Sequence, residues 1–509
     1  MTTPFISSVK NRAILILGLG ETGLAAAKWC LQQGALVRVA DTRDMPPGLD
    51  ALKTAGIEQE ALFLGADRAL SEDVLDGVQS IVLSPGLEPF KEPLKSFLDK
   101  AQALQIEIIG EIELFARALQ DLKEQTQYQA KVLAVTGTNG KTTVTTMTRD
   151  MCIQAGLTAV AAGNISPAAL DALMQSLAEN TLPDVWVIEL SSFQLHTTQS
   201  LKPNASVVLN ITQDHLDWHG SMEHYMAAKA KLLTMSDIAV VNRDDELTVK
   251  MVDYLDDVNV RSFGSDEPKL ADDLGIENLN GMAWLSVSEY DDFDDPITKP
   301  VKKKVYERPV RAIGVMKRLM PADAMRVRGR HNALNGLASM ALCRAIGVSY
   351  TPLLMTLRDY EAQAHRCNFV RTIRGVDFID DSKGTNVGAT QAALIGMQRP
   401  VVIILGGMGK GQDFSPLLAP VQQYARAVFL IGVDRDVIEK ALVSSGVPMM
   451  KFDSLEAAVN ASLDYAQAGD VVLLSPACAS FDMFKGYHHR GEVFVDAVSQ
   501  LAIEQGELM

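Results

Sequence analysis

The sequence has few cysteines and no long apolar run, and each feature excludes a class of protein. Its five cysteines are scattered through 509 residues without a C-x-x-C pair, so neither a disulfide framework nor a cysteine zinc site is indicated. No stretch approaches the ~20 apolar residues of a membrane span, and the N-terminal run has no signal-cleavage pattern. We therefore expect a cytoplasmic protein without a membrane span.

Positive charge is also scarce. Lys and Arg total 47 against 63 Asp and Glu, which gives a formal net charge of −16. Such a field repels phosphate polyanions, so we expect no nucleic-acid partner. A small anionic ligand would have to be held by local lysines, backbone donors or a metal ion.

What the sequence does contain is an alternation of short Val/Ile/Leu-rich runs with helical stretches. This alternation predicts an α/β fold with mostly parallel sheets. The length suits about three domains, and two polar joints divide the chain into 1–118, 119–362 and 363–509. The stretch 265–324, with an acidic run beside a basic one, is interpreted as a solvated insertion or a β-excursion without chemistry.

An apolar run near the N terminus leads into a glycine turn. It reads Gly18-x-Gly20-x-x-Gly23 and is followed by a helical pattern, which is the outline of a dinucleotide-binding turn. The next strand is predicted to end at Asp41, where a ribose-binding acid belongs. Taken alone, this turn would support an NAD(P) oxidoreductase.

A second glycine turn carries a lysine. The segment TGTNGKTT, residues 136–143, joins a predicted strand to a helix that opens with Lys141 and Thr142. Helix N-termini and glycine turns offer N–H groups to phosphate, so Lys141 is expected at the phosphates and Thr142 at Mg²⁺. The match to the general phosphate-loop pattern is imperfect because Val135 stands where a glycine is usual. A plain strand-to-helix turn and a P-loop ATPase that serves as a binding module are the alternatives.

TGTNGKTT resembles the ATP-binding loop of the Mur ligases and of the related folylpolyglutamate synthetases, which join a carboxylate to an amine through an acyl phosphate. Further family segments follow in order: AAGNISP, VIELSSFQLH, DHLDWHGSMEHYMAAKAK, RGRHNALN, DDSKGTN, GGMGKG and SPACASFD. The resemblance implies a Rossmann-like N-terminal domain, a central P-loop ATPase-like domain with a mostly parallel sheet, and a Rossmann-like C-terminal domain.

The resemblance also implies where ATP and metal are bound. It places ATP at Gly137, Thr138, Asn139, Gly140, Lys141, Thr142, Thr143, Asn164, Asn332, Asn335, Arg366 and Asp381. It implies two Mg²⁺ ions held by Thr142, Glu189, His215 and a carbamylated Lys229, and it makes Lys141, His215, Lys229 and Arg366 catalytic. From the residues alone, the three histidines of this region lack cysteine partners for zinc. An unmodified Lys229 would be a solvated helix position equivalent to Lys231.

The DSK-x-TN segment resembles that of the D-glutamate-adding members, whereas the Asp-Asn-Pro-Arg segment of the diaminopimelate- or lysine-adding members is absent. The implied substrates are UDP-N-acetylmuramoyl-L-alanine, D-glutamate and ATP. The implied D-glutamate site is formed by Lys383, Thr385, Lys410, Ser480, Phe481 and Tyr487. A family ligase that uses L-alanine or a folate substrate is the main alternative.

On this interpretation the first glycine turn takes the UDP diphosphate and uridine, and no NAD is expected. The implied UDP-substrate residues are Gly20, Thr22, Gly23, Asp41, Thr42, Arg43, Ser84, Pro85, Gly86, Ser191 and Gln194. Two positions depart from the family pattern, namely Glu21, where an apolar residue is frequent, and Tyr487, where phenylalanine occurs. We expect a monomer.

Overall fold

The computed structural model describes residues 5–253, 259–290, 311–327, 329–361 and 364–507. Strands and helices alternate through most of these ranges and form three sheets. The predicted α/β fold class is confirmed. No helix in the described ranges is both long and apolar enough to cross a bilayer.

The first sheet is parallel, and its five described strands lie in the order β3-β2-β1-β4-β5. Its core strands are continuous apolar runs because helices cover both faces of the sheet. The strands are β1 Ala13–Leu17, β2 Leu36–Asp41, β3 Leu62–Leu64, β4 Ser80–Leu83 and β5 Glu107–Ile109. The helices are α1 Glu21–Gln32, α2 Leu49–Thr54, α3 Ala66–Ala69, α4 Leu94–Ala103 and α5 Glu111–Thr126.

The central sheet has nine described strands in the order β14-β13-β12-β11-β10-β9-β6-β8-β7. Its strands are β6 Lys131–Thr136, β7 Ala159–Gly163, β8 Val185–Glu189, β9 Ala205–Val208, β10 Ile238–Asn242, β11 Asn259–Phe263, β12 Leu274–Leu279, β13 Met282–Glu289 and β14 Val315–Pro321. The helices are α6 Lys141–Gln154, α7 Ala169–Glu179, α8 Ser192–His196, α9 Leu216–His219, α10 Met222–Thr234, α11 Glu246–Val252, α12 Arg330–Ala345 and α13 Tyr350–Asp359.

The third sheet has six described strands in the order β15-β16-β20-β17-β18-β19, and only the β15–β16 pair among them is antiparallel. Its strands are β15 Asn368–Ile373, β16 Val376–Asp380, β17 Val401–Gly406, β18 Ala425–Ile431, β19 Met449–Lys451 and β20 Val471–Leu474. The helices are α14 Val387–Met397, α15 Leu418–Tyr424, α16 Arg435–Leu442, α17 Leu455–Ala461 and α18 Tyr487–Glu504.

The stretch 265–324 contains the antiparallel part of the central sheet. β12 pairs with β13, and β13 pairs with β14, so this region adds an antiparallel ribbon to an otherwise parallel sheet. Residues 291–310, which include most of the acidic and basic runs, lie outside the described residues. The β-excursion interpretation fits the described part.

The described residues group into two compact units. The first takes its residues from Met1–Ile211, Glu223–Ala322 and Asn335–Arg358, and the second from Thr212–Met222, Asp323–Leu334 and Asp359–Met509. The first unit therefore contains both the N-terminal and the central sheet. The domain boundaries at 118/119 and 362/363 stay predictions, and α5 runs across the first of them.

A hydrophobic cluster inside the first unit joins the helices of its two sheets. Trp29 of α1, Phe115 of α5 and Leu173 of α7 are all fully buried members of it. The Phe115 ring packs edge-on against Trp186 of β8, with ring centroids 5.2 Å apart. Burial of this apolar surface fixes the N-terminal sheet against the central one.

Candidate functional site

The first glycine turn lies at the carboxyl edge of the N-terminal sheet and depends on close backbone packing. Gly18 has φ +91°, and Ser84 Oγ donates a hydrogen bond of 2.7 Å to its carbonyl. A Cβ on Gly23 would overlap that same Gly18 oxygen. Gly20 has open space around it. Gly23 is therefore required for helix α1 to approach β1, whereas Gly20 leaves room for a ligand.

A cavity of about 330 Å³ opens at this edge. Most of the predicted UDP-substrate residues line it, namely Gly20, Thr22, Asp41, Thr42, Arg43, Ser84, Pro85 and Gly86. Leu70, Leu87 and Leu94 add an apolar wall that no motif predicted, because leucines near a turn look like ordinary core residues. Such a pocket, with glycine turns at one end and an apolar wall, suits a nucleotide.

Asp41 is bonded within the protein. Its Oδ2 accepts the Leu19 N–H at 2.7 Å, and Arg43 donates to both carboxylate oxygens, at 2.8 and 2.7 Å. Burial alone would raise the pKa of Asp41, but the hydrogen bonds from Arg43 and Leu19 lower it overall. The side chain therefore fixes Arg43 and the glycine turn in addition to lining the cavity.

Ser191 and Gln194, also predicted at the UDP substrate, form a capping box at the start of α8. Ser191 Oγ accepts the Gln194 N–H at 3.2 Å, and Gln194 Oε1 accepts the Ser191 N–H at 3.0 Å. Neither residue lines the cavity at the first glycine turn. Their contact with substrate stays a prediction, and their local contacts give both a helix-capping role.

The second glycine turn, residues 136–143, joins β6 to α6 and is called the phosphate loop below. Gly137 and Gly140 have φ +145° and +84°, conformations that favour glycine. Asn210, which follows β9, holds the loop from the side: its carbonyl accepts the Thr138 N–H and its Oδ1 accepts the Asn139 N–H, both at 2.8 Å. No motif pointed to this role of Asn210.

Lys141 lies over the loop that it follows. Its Nζ donates to the carbonyls of Gly137 and Thr138 at 3.0 and 2.8 Å. The Oδ1 atom of Asn335, from α12, stands 2.7 Å from the place a Cβ on Gly140 would take. The structure thus brings Lys141 and Asn335 to the loop, with Thr142 and Thr143 in the first turn of α6.

Glu189 ends β8 next to β6, where Val135 is its register partner. Its carboxylate is buried, and Oε1 accepts the side-chain N–H of Asn164 at 2.7 Å. Oε2 is buried without a hydrogen-bond partner among the described residues. An unpaired buried carboxylate oxygen is costly unless a cation or water satisfies it. This atom fits a metal ligand, since Mg²⁺ prefers oxygen.

Lys229 and Lys231 lie on α10 in different environments. Lys229 is buried; its Nζ donates to the Gly137 carbonyl at 2.9 Å and to Thr136 Oγ1 at 3.3 Å, and it lies 4.7 Å from the centroid of the Tyr225 ring. Lys231 is partly exposed and donates to the Leu195 carbonyl at 3.0 Å. Reading the two lysines as equivalent solvated positions is therefore wrong, because Lys229 alone of the pair contacts the phosphate loop.

His215 and Asn332 belong to the second unit. His215 has φ +54°, and its Nε2 is 3.5 Å from Asp214 Oδ2. Asn332 lies in the first turn of α12, where its N–H donates to the Gly329 carbonyl. Within the described residues, no group of three or more His, Cys, Asp or Glu side chains is arranged to hold a metal. The metal-ligand set stays a prediction.

The third sheet ends in three polar segments. The turn after β16 carries Asp381, whose Oδ2 accepts the Ser475 hydroxyl at 2.7 Å; burial raises the pKa of Asp381 to about 6. Arg366 precedes β15 and donates its N–H to Asn368 Oδ1 at 2.7 Å. Their positions fit a polar site at the carboxyl edge of this sheet.

The predicted D-glutamate residues lie on these same segments. Lys383 Nζ stands 3.7 Å from the centroid of the Tyr487 ring, a cation–π contact. The Lys410 turn and the segment of Ser480 are joined by two hydrogen bonds between Met408 and Ala479, at 2.9 and 3.0 Å. Ser480 is buried, whereas Phe481 is 67% exposed. Thr385 continues the turn, where its N–H donates to the Lys383 carbonyl.

Sequence reasoning missed two groups behind these residues. His365 Nδ1 is 2.6 Å from Asp380 Oδ2, and Arg490 is fully buried. His365 is adjacent to Arg366, a signal that could have drawn attention to it. Arg490 gave no signal, because arginine in a helix is usually exposed.

The parallel sheets and the two glycine turns, each between a strand and a helix, are typical of nucleotide-binding α/β proteins. Three family models match consecutive parts of the chain: the N-terminal domain of MurD-like Mur ligases at 12–110, the Mur ligase middle domain at 135–343 and the Mur ligase glutamate ligase domain at 365–478. The chain belongs to the Mur ligase family.

Relatives support the same assignment. The chain is 55% identical to a UDP-N-acetylmuramoylalanine--D-glutamate ligase of Bordetella bronchiseptica, with 100% of both chains covered. It is 50% identical to a relative of the same name from Ralstonia nicotianae, covering 97% of this chain and 98% of that one. A MurF ligase structure from Thermotoga maritima in complex with ADP has a similar fold, with a TM-score of 0.56, 16% identity, and 98% and 96% coverage.

Proposed function

We propose that the protein is an ATP-dependent ligase that joins D-glutamate to UDP-N-acetylmuramoyl-L-alanine in peptidoglycan precursor synthesis. The observation that carries the proposal is the 55% identity, over the full length of both chains, to a relative whose name states this pair of substrates. The phosphate loop, the cavity at the first glycine turn and the polar edge of the third sheet supply one candidate site for each of three substrates.

The proposed chemistry requires activation of a carboxylate. An ionised carboxylate is a poor acyl donor, so the γ-phosphoryl group of ATP is transferred to its oxygen, giving an acyl phosphate and ADP. The neutral amine of D-glutamate then attacks the acyl carbon, phosphate leaves with the electrons of the C–O bond, and the nitrogen loses one proton to give the amide. In phosphoryl transfer the protein mainly positions groups and offsets charge, which suits Lys141 at the loop and an arginine such as Arg366.

Members of the Mur ligase family use ATP with Mg²⁺. We propose that two ions are held by Thr142, Glu189, His215 and a carbamylated Lys229; bound Mg²⁺ offsets the negative charge of the phosphates. The unpaired Oε2 of Glu189 supports this. At Lys229, addition of CO₂ to the neutral amine, with release of one proton, would supply two carboxylate-like oxygens, and the carbamate N–H would remain a donor for the Gly137 carbonyl.

The substrate sites follow from the same family. The UDP part of the muramoyl substrate is assigned to the cavity at Gly20 and Arg43, and D-glutamate to Lys383, Lys410 and Ser480. Lysine ammonium groups and a hydroxyl are suitable partners for the two carboxylates of D-glutamate. Cytoplasmic location and a monomeric state remain expectations.

A coupled phosphate-release assay with UDP-N-acetylmuramoyl-L-alanine, combined with mass spectrometry of the product, tests the proposal. D-glutamate should give stoichiometric phosphate and an amide product, whereas L-glutamate, L-alanine and a folate acceptor should give neither. ATP hydrolysis without amide formation for any acceptor would instead favour a P-loop ATPase. Product formed with L-alanine or folate in place of D-glutamate would assign the chain to another ligase of the family.

A further inference from the structure

Arg490, in the first turn of α18, is fully buried although it carries a charge. Burial lowers its pKa to about 10, which leaves the guanidinium protonated at neutral pH. Within the described part of the chain, its hydrogen bonds go to a hydroxyl and to carbonyl oxygens. Removing a charge from water is costly. A buried arginine that is not hydrogen-bonded to a carboxylate therefore indicates a role that offsets this desolvation cost.

The guanidinium connects two segments that are distant in sequence. Nη2 donates to the Ser382 carbonyl at 2.7 Å and Nε donates to Ser382 Oγ at 3.0 Å, while Nη1 donates to the Cys478 carbonyl at 3.0 Å. Ser382 Oγ in turn donates to the Tyr487 carbonyl at 2.8 Å. The start of α18 is therefore bonded to the turn after β16 and to the segment after β20.

Each connected segment carries at least one predicted D-glutamate residue. Lys383 follows Ser382 directly, Ser480 lies two residues beyond Cys478, and Tyr487 begins α18. The cation–π contact of 3.7 Å between Lys383 and Tyr487 shows that two of these segments already face each other. A backbone hydrogen bond of 2.9 Å from the Ala477 N–H to the Gly384 carbonyl also joins two of these segments, whereas the Arg490 side chain, from α18 itself, bonds to both of the other segments.

We propose that Arg490 is a positioning residue of the D-glutamate site, whose guanidinium holds the segments of Lys383, Ser480 and Tyr487 in one arrangement. The inference rests on the proposed function and deepens it. The planar guanidinium presents several donors in a fixed fork, whereas the lysine ammonium is a flexible point charge. Lysine at this position would keep the positive charge but lose the planar set of guanidinium N–H donors.

The three hydrogen bonds of Arg490 go to Ser382 and Cys478; they include neither glycine turn, and none is made to Arg366 or Asp381, the residues of this sheet edge that are predicted to bind ATP. Its replacement is therefore expected to weaken D-glutamate binding selectively. Loss of hydrogen bonds from a charged donor corresponds to about a 10- to 100-fold effect. In Arg490→Lys we expect KM for D-glutamate to rise by that factor, with KM for ATP and for the UDP substrate changing less than about two-fold.

The experiment measures kcat and the three KM values in the full chain, with thermal unfolding as a check on folding. Arg426→Lys is the matched control, because Arg426 is ion-paired with Asp470 at the opposite ends of the strands; its three KM values should not change. Ser382→Ala removes the hydroxyl that Arg490 and Tyr487 share. It should raise KM for D-glutamate by about 3- to 10-fold, and it decides the question if Arg490→Lys does not fold.

The outcomes separate the two proposals. A wild-type protein that forms no D-glutamate amide contradicts the proposed function, and with it this inference. A wild-type protein active with D-glutamate, together with an unchanged KM for D-glutamate in folded Arg490→Lys or in Ser382→Ala, overturns the inference alone. An equal rise in all three KM values also overturns it, because that pattern indicates general structural support.

Discussion

The carboxyl group of Glu111 should make the stability of the first unit depend on pH. Glu111 begins α5 and is buried; its Oε1 accepts the Leu170 N–H at 2.6 Å, and its Oε2 has no hydrogen-bond partner in the described chain. Burial raises its pKa to about 8, with smaller contributions from the negative charges of Asp171 and Glu21. The positive charge of Lys28 acts to lower the pKa of Asp171.

The sign and size of the effect follow from linkage. Below pH 4.5, the ordinary value, Glu111 is protonated in both the folded and the unfolded chain, and its stabilising contribution is fully present. As pH rises, the unfolded chain releases the proton first, so the free energy of unfolding falls until pH passes about 8. At ~1.4 kcal/mol per pH unit, this interval sets a ceiling of about 5 kcal/mol.

Glu111→Gln, which cannot ionise, tests this prediction. The assay is urea unfolding between pH 5 and 9, followed by tryptophan fluorescence, because Trp29 and Trp186 belong to the same hydrophobic cluster as Ile112 and Phe115 of α5. The wild type should lose stability relative to the variant as pH rises. The difference between the two free energies of unfolding should change by at least ~2 kcal/mol across this range.

Parallel stability curves for the two proteins would refute the reasoning, since they would mean that Glu111 is already ionised in the folded state. Glu113→Gln is the control from the same helix. Its buried carboxylate accepts the Gln199 and Ser200 N–H groups at 2.7 and 2.8 Å and pairs with Arg117 at 2.9 Å. That variant should lose stability by breaking an ion pair, and it should retain the pH dependence that Glu111 causes.

Three further predictions concern the candidate sites. Lys141→Ala should raise the activation free energy by ~3 kcal/mol and so lower ATP-dependent turnover about 100-fold in the phosphate-release assay. Turnover near wild type would contradict the role of Lys141 at the phosphates. Gly23→Ala should weaken UDP-sugar binding in calorimetric titrations, because the new Cβ overlaps the Gly18 carbonyl. Gly20→Ala, the control, should fold normally. Equal folding and binding in both variants would contradict the packing argument. Lys229→Ala should be inactive and be partly restored by a short carboxylate but not by bicarbonate, with Lys231→Ala active; an active Lys229→Ala refutes the carbamate.

Much of the fold could be predicted because its signals are local. Apolar runs that end in glycine turns predicted β1 and β6 and, through them, the edge of each sheet at which a ligand site is expected. The antiparallel ribbon of β12, β13 and β14 was harder to predict from the sequence, since its strands lie beside runs of charged residues, which are typical of solvent-exposed segments. Pairing there is set by the neighbouring strands of the sheet rather than by local pattern.

Side-chain roles that depend on distant segments could not be read from the sequence. Lys229 and Lys231 are two residues apart on one helix, and only tertiary packing buries the first against the phosphate loop. Arg490 looks like an exposed helical arginine until the Ser382 and Cys478 carbonyls are placed around it. In both cases the contacting residues are more than ten positions apart in the sequence. Hydrophobic periodicity describes only neighbouring positions and therefore does not predict such contacts.

The first glycine turn shows how such contacts bear on ligand choice. An acid at the end of β2 would favour NAD if its oxygens faced a ribose, but in this protein Arg43 and the Leu19 N–H bond both oxygens of Asp41. Glu21, whose charge beside a diphosphate would be unfavourable, instead accepts the Ser166 hydroxyl at 2.6 Å. The ion pair with Asp41 thereby holds the Arg43 guanidinium at the cavity. The Glu21 carboxylate is bonded to Ser166. Both arrangements are compatible with the proposed UDP-linked substrate, so the dinucleotide-type turn does not conflict with the Mur ligase assignment.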